Sequence, residues 1–163
     1  MTDDMRRATE EAADRRLRLI DGLRERAEGL AWCHRHTDVV DGVVRSLTAD
    51  FPAHPPLAVV ATGGYGRREL APYSDLDLAI VPADETDPDT DAIVRVLFRR
   101  LHAAITSIFR MEIGYSYRLV ADAPGLDAKS RTGLIDARLV VGDPALLERL
   151  RAALDATLEP GEF

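Results

Sequence analysis

One cysteine, Cys33, is all the thiol chemistry this chain contains. It excludes an internal disulfide and is compatible with a reducing cytoplasm, the location expected here. No apolar run approaches the ~18 residues of a membrane span, so no membrane partner is expected. The opening MTDDMRRATEEAADRR mixes acids and bases without an apolar stretch, which predicts no signal peptide. A basic excess is also lacking: 21 Lys+Arg stand against 28 Asp+Glu, a net charge of −7. That balance argues against a protein whose main work is coating nucleic acid, and no nucleic-acid partner is expected. There is no Walker A loop, which removes a P-loop kinase, and no internal repeat. What is present is ordinary for a globular chain, with 46% apolar and 30% charged residues. The length suits one domain with a real core.

Periodicity divides the chain. Leu17, Ile20, Leu23, Ala27 and Leu30 recur at helical spacing and predict a helix from about Arg6 to Cys33, with Gly22 and Gly29 as weak points. Met1 to Arg16 reads as a frayed helix start or a disordered arm. Val39, Val40, Val43, Val44 and Leu47 predict a second helix from about Asp38 to Asp50. Phe51 to Pro56 is a breaker that sets residues 1–52, a helical segment packed on the core, apart from residues 53–163. Later elements are a helix from about Asp89 to Phe109 started by Asp87-Pro88, and an alternating strand from Met111 to Val120. Helices at about Ala128–Val140 and Pro144–Leu158 follow, the last capped by Asp143. The arginines Arg95, Arg99, Arg100 and Arg110 fall off the apolar stripe of their helix and read as a solvated face. His34 and His36, two apart, do not share a helix face, so they read as a solvated junction rather than a metal cluster.

The informative stretch is GGYGRRELAPYSDLDL, Gly63 to Leu78. Leu57 to Ala61 reads as a buried strand that runs into Gly63-Gly64, where glycine permits a sharp turn and close approach to a ligand. A short helix, about Tyr65 to Leu70, can offer N–H groups to a phosphate. Asp75 and Asp77 then alternate with Leu76 and Leu78. In a strand such carboxylates share a face, about 6.5–7 Å apart, while the leucines enter the core. Two unpaired carboxylates side by side repel, and a hard divalent cation beside a phosphate relieves that.

This order, strand, Gly-Gly, short helix, Asp-x-Asp strand, resembles the signature of the nucleotidyltransferase superfamily related to DNA polymerase β. More narrowly, it is similar to the N-terminal domain of the enzymes that uridylylate and deuridylylate the nitrogen-signalling protein PII. The resemblance implies an α+β fold, a small mixed sheet flanked by helices, with an N-terminal helical hairpin. It implies Mg²⁺ or Mn²⁺ held by Asp75 and Asp77, and transfer of UMP or AMP from a nucleoside triphosphate to a protein hydroxyl, with PII as the acceptor. Phosphate contacts fall to Gly63, Gly64, Tyr65, Arg67, Ser74 and Arg118. Arg67 matches the arginine of the family's Gly-Gly-Tyr-Gly-Arg motif; Glu69 is a competing partner for it.

The superfamily's third carboxylate is assigned to Glu112 or to Asp136, the latter alternatively a salt-bridge partner of Arg138. Tyr115 stands where the related strand has histidine. The resemblance spans about Leu57 to Leu150 and covers only the transferase half, because no His-Asp hydrolase motif is present. The chain is therefore expected to be a fragment or a stand-alone relative. Two other readings stay open: a minimal nucleotidyltransferase antitoxin that modifies or binds a toxin, and a truncated non-catalytic nucleotide-binding module.

Overall fold

Leu57–Ala61 forms strand β1, the middle of the fold in both space and logic. The computed structural model describes residues 1–23, 29–51, 56–84 and 86–157. Four of the five residues of β1 are fully buried, as a strand covered on both faces requires. It pairs antiparallel with β2 (Leu76–Pro82), Ala61 opposite Leu78. On its other edge it pairs antiparallel with β4 (Arg138–Gly142), with a register shift between Val59 and Val60. Strand β3 (Ile113–Tyr117) lies parallel to β2, giving the order β3-β2-β1-β4. This is a four-stranded mixed sheet within an α+β fold.

Alternation along the strands separates two cores. Val59, Ala61, Leu76, Leu78 and Ile80 pack against helices α1 (Asp3–Gly22), α2 (Gly29–Thr48) and α4 (Pro88–His102) and a π-helical turn, Ala103–Ile108, that continues α4. Ala58, Val60, Ala79 and Val81 face a 3₁₀ turn (Val120–Gly125), α5 (Ala128–Ile135) and α6 (Pro144–Asp155). By the same alternation Asp77 belongs to the α5/α6 side of the sheet. Among the described residues, no helix is long and apolar enough to cross a membrane.

Several expectations from the sequence need correction. Met1 to Arg16 is no frayed arm: α1 begins at Asp3, capped by Thr2 Oγ1 accepting from Met5 N, and buries Thr9, Ala12 and Arg16. The expected stripe is not the buried face, since Leu17 and Leu30 are exposed. The first helix ends at Gly22, and the second begins at Gly29, whose φ of +44 suits glycine. The first helix thus stops well short of the expected Cys33. His34-Arg35-His36 then lies inside α2, and His36 is fully buried. The helix expected over Ala128–Val140 stops at Ile135. Arg138-Leu139-Val140-Val141 is instead a strand, because β1 has an open edge for it and Gly142 takes φ +105 where the chain leaves the ladder. Arg100 is not part of a solvated face: it pairs with Asp50 and lies over the Phe51 ring at 4.8 Å. Ala27, Pro52 to Pro55 of the breaker, Leu158 and the ending from Glu159 to Phe163 lie outside the described residues.

Candidate active site

The site grows from the end of β1. Thr62 N donates to Asp77 O at 3.1 Å, tying the strand exit to β2. Gly63 adopts φ +56, and the chain folds into the short helix α3, Gly63–Gly66. The first N–H groups of a helix have no acceptor within it, and the side chain of Thr62, its N-cap, accepts none of them. The helix is shorter than its expected span of Tyr65 to Leu70. Behind it, the Tyr65 ring is buried and its hydroxyl donates to Asp41 Oδ1 at 2.6 Å. Any phosphate contact of Tyr65 is therefore left to its backbone. Gly66 presses against the Asp136 carbonyl so closely that a Cβ would overlap it.

Asp77 projects from β2 as the exposed residue in an otherwise buried strand. Its register partner on β3 is Gly114. A Cβ at Gly114 would lie 2.5 Å from Asp77 Oδ1, and one at Gly63 would lie 3.4 Å from Oδ2. Two glycines thus make the seat of one carboxylate. Burial, and after it the charge of Asp75, raises the Asp77 pKa above the ordinary carboxylate value. Asp75, exposed and one residue ahead of β2, is thus within electrostatic reach of Asp77.

Asp77 lines a cleft of about 470 Å³. Thr62, Gly63, Ser116 and Arg118 line the sheet side, and Lys129 and Ser130 of α5 line the other. Arg118 is anchored by its N–H to Ile80 O at 3.0 Å, and its guanidinium donates to Ser130 Oγ at 3.3 Å. Its Nε is buried without an acceptor. Asp127 caps α5, accepting from Ser130 N at 2.7 Å. Hydrogen bonds from Ser130 hold its carboxyl below the usual range, and the charges of Arg118 and Lys129 add to that.

No protein-family model matches the chain. Among curated proteins it is similar to the bifunctional uridylyltransferase/uridylyl-removing enzyme of Burkholderia lata, 34% identical over 161 residues, 97% of this chain and 18% of that protein. The enzyme of the same name from Cupriavidus pinatubonensis is 40% identical over 119 residues, 70% of this chain and 13% of the relative. That of Nitrosospira multiformis is 32% identical over 140 residues, 83% and 16%. The chain is a relative of the bifunctional uridylyltransferase/uridylyl-removing enzymes. It spans about a sixth of their length. In this uridylyltransferase-related segment, the remaining residues singled out by sequence fall into two groups.

Gly63, Gly64, Asp75, Asp77 and Arg118 come together around the β1–α3 turn and the cleft. Ser74 sits in the turn before β2, its N–H donating to Ala71 O at 3.2 Å. Glu112 is exposed, one residue ahead of β3 as Asp75 is ahead of β2, and its carbonyl accepts from Leu76 N. Arg67 instead donates to Glu69 at 2.8 Å and Asp136 at 3.0 Å. Asp136 is therefore the partner of Arg67, and Arg138 pairs with buried Asp41 at 2.8 Å. Sequence reasoning missed Gly114, Ser116, Lys129, Ser130 and Asp41. Alternation along β3 already set Gly114 and Ser116 on the polar face with Arg118. The helix start expected at Ala128 is where α5 begins, capped by Asp127, and it places Lys129 and Ser130 on its first turn.

Among the described residues, no three His, Cys, Asp or Glu side chains are arranged to hold a metal ion. A carboxylate whose ionised form is disfavoured by burial and by a neighbouring carboxylate fits Mg²⁺ nonetheless, since that ion is commonly held by one or two carboxylates, with water and substrate phosphates completing its shell.

Proposed function

We propose that the chain is a nucleotidyltransferase unit of the polymerase β-like fold. It transfers UMP or AMP from a nucleoside triphosphate to a protein hydroxyl, with a PII-type regulator as acceptor. The observation that carries this reading is the seating of Asp77 between Gly63 and Gly114, beside the charge of Asp75 and on the wall of the cleft. The uridylyltransferase named in the relatives supports the transfer chemistry and favours UMP. The acceptor rests on the sequence resemblance.

The acceptor oxygen attacks the α-phosphorus, the bond to the bridging oxygen breaks, and pyrophosphate leaves. Mg²⁺, when held by Asp75 and Asp77, supplies positive charge to the attacking and leaving oxygens. The chain's own groups do the rest. The N–H groups of Gly63, Gly64 and Tyr65 meet phosphate oxygens. Arg118 offers charge-assisted donors to the departing pyrophosphate. Glu112, next to Asp75 at the sheet end, takes the acceptor's proton.

The test is calorimetric titration of ATP, UTP, CTP and GTP, with and without Mg²⁺, on wild type and Asp75→Ala/Asp77→Ala. Metal-dependent binding of a triphosphate that vanishes in the double variant is the expected result. Binding indifferent to both carboxylates would sink the assignment.

A further inference from the structure

Strand β3 is at the edge of the sheet: β2 covers one side, and among the described residues no strand lies along the other. Leu76 N donates to Glu112 O at 2.9 Å, and Arg118 N donates to Ile80 O at 3.0 Å. In a parallel ladder of that phase, the even-numbered residues of β3 bond to β2, and the N–H and C=O groups of Ile113 and Tyr115 point to the free side. Among the described residues, nothing meets those groups there. Proteins commonly blunt such an edge with proline, charge or a bulge. The run Ile113-Gly114-Tyr115-Ser116-Tyr117 carries no proline and no charge, and its register with β2 has no shift. An edge left in this state is suited to a further extended chain.

The surroundings say which chain fits. Tyr115 is 50% exposed, and its ring centroid lies 4.0 Å from that of Phe98, which lies 5.7 Å from that of His102 on α4. These rings form an apolar wall beside the edge. Arg99, next to Phe98 in the chain, is exposed and pairs with no described residue, so the wall has a cationic border. The edge also leads to the candidate site. It starts at Glu112, whose carbonyl is tied to Leu76, the residue after Asp75. A chain laid along Ile113 and Tyr115 therefore runs to the end of the sheet where the transfer reading needs a hydroxyl. Ladder pairing fixes such a chain in register, about 3.3 Å per residue, and so places that hydroxyl.

We propose that an extended segment of the acceptor protein adds to the free edge of β3 and presents its hydroxyl at the Glu112 end. Main-chain bonds to Ile113 and Tyr115 supply affinity, and alternate side chains supply selectivity. An apolar or aromatic residue suits the Tyr115–Phe98 wall, and an acidic one suits Arg99. The identity of the occupant rests on the proposed transfer reaction.

The test is binding of a PII-type regulator to the whole chain, with amide hydrogen exchange read residue by residue. The regulator should slow exchange at Ile113 and Tyr115. Tyr115→Pro removes one outward N–H and leaves the bonds to β2, so it should weaken the regulator about tenfold or more. Tyr115→Val keeps the N–H and should weaken it less. Both variants should keep metal-dependent triphosphate binding, which also shows that they fold. Absence of regulator binding to wild type, exchange at Ile113 and Tyr115 unchanged by the regulator, or equal losses in the two variants overturns the added strand. Protection of those amides that rises with concentration of the chain alone gives the edge to a second copy and overturns it too. Failure of the transfer reading shows separately, as nucleotide binding insensitive to Asp75→Ala/Asp77→Ala.

Discussion

At the scale of residues, one carboxylate and the absence of two side chains decide the site. Gly114 takes no positive φ, so its backbone accepts alanine. What alanine would meet is the Asp77 Oδ1 atom at 2.5 Å, the movable end of a side chain. The relief is therefore a swing of the carboxylate out of its seat rather than a backbone shift. Gly114→Ala should leave the melting temperature within a few degrees, a stability change of about 1 kcal/mol or less. Metal-dependent nucleotide binding should fall about tenfold or more, as for the loss of one charged ligand. Thermal denaturation and titration of one preparation check both halves, and a large loss of fold with intact binding would contradict the seat. Asp75 and Asp77 were legible in the sequence because a two-residue period and neighbouring glycines specify their face locally. Lys129 was not, because only the packing of α5 over the sheet brings it to Asp77.

At the scale of elements, two buried polar links hold the N-terminal helices to the site. Asp41 of α2, almost fully buried, accepts from Tyr65 Oη at 2.6 Å and from Arg138 at 2.8 and 3.0 Å. Asp41→Ala would strand a tyrosine hydroxyl and a guanidinium together and should cost about 3–5 kcal/mol in chemical denaturation, with Asp41→Asn losing less. The second link runs through His36. Its Nε2 accepts from Arg16 Nε at 3.1 Å, so Nδ1 carries the proton and donates to Leu70 O at 3.0 Å. Burial above all, with the Arg16 charge adding, lowers its pKa from 6.5 to about 4, against the opposing pull of the Leu70 hydrogen bond. Between those values the unfolded chain binds a proton that the folded chain refuses. Stability is therefore complete above pH 6.5 and declines as pH falls toward 4, by about 3 kcal/mol. Denaturation midpoints of wild type should show that decline, and His36→Gln, whose amide keeps both hydrogen bonds without titrating, should flatten it. Sequence spacing alone placed His36 at an exposed junction because the helix break was read too late. Nothing local reveals that Arg16 and Leu70, far apart in the chain, meet that ring. Strand β4 was hidden for a related reason. Leu134 to Val141 is apolar enough to satisfy either period, and the open edge of β1 is what chooses the strand.

At the scale of the whole molecule, the polar site and the apolar core depend on the same sheet from opposite faces. Ala12, Val40, Val43, Val44 and Leu47 from α1 and α2 share one cluster with Val59, Leu78, Leu97 and Ile105. The alternating leucines of β2 are thus covered by the N-terminal helices, while Asp77 between them looks the other way. Removing the residues before Pro56 would uncover Leu76 and Leu78 and take Asp41 from Tyr65 and Arg138. Each large apolar side chain exposed in this way forfeits about 1.5–3 kcal/mol, so a few of them match the whole stability of an ordinary domain. A chain beginning at Pro56 should accordingly show no cooperative melting transition and no metal-dependent nucleotide binding. A sharp transition in that shortened chain would instead make α1 and α2 an appendage. Its nucleotide affinity would then show whether Asp77 keeps its seat without the helices behind it.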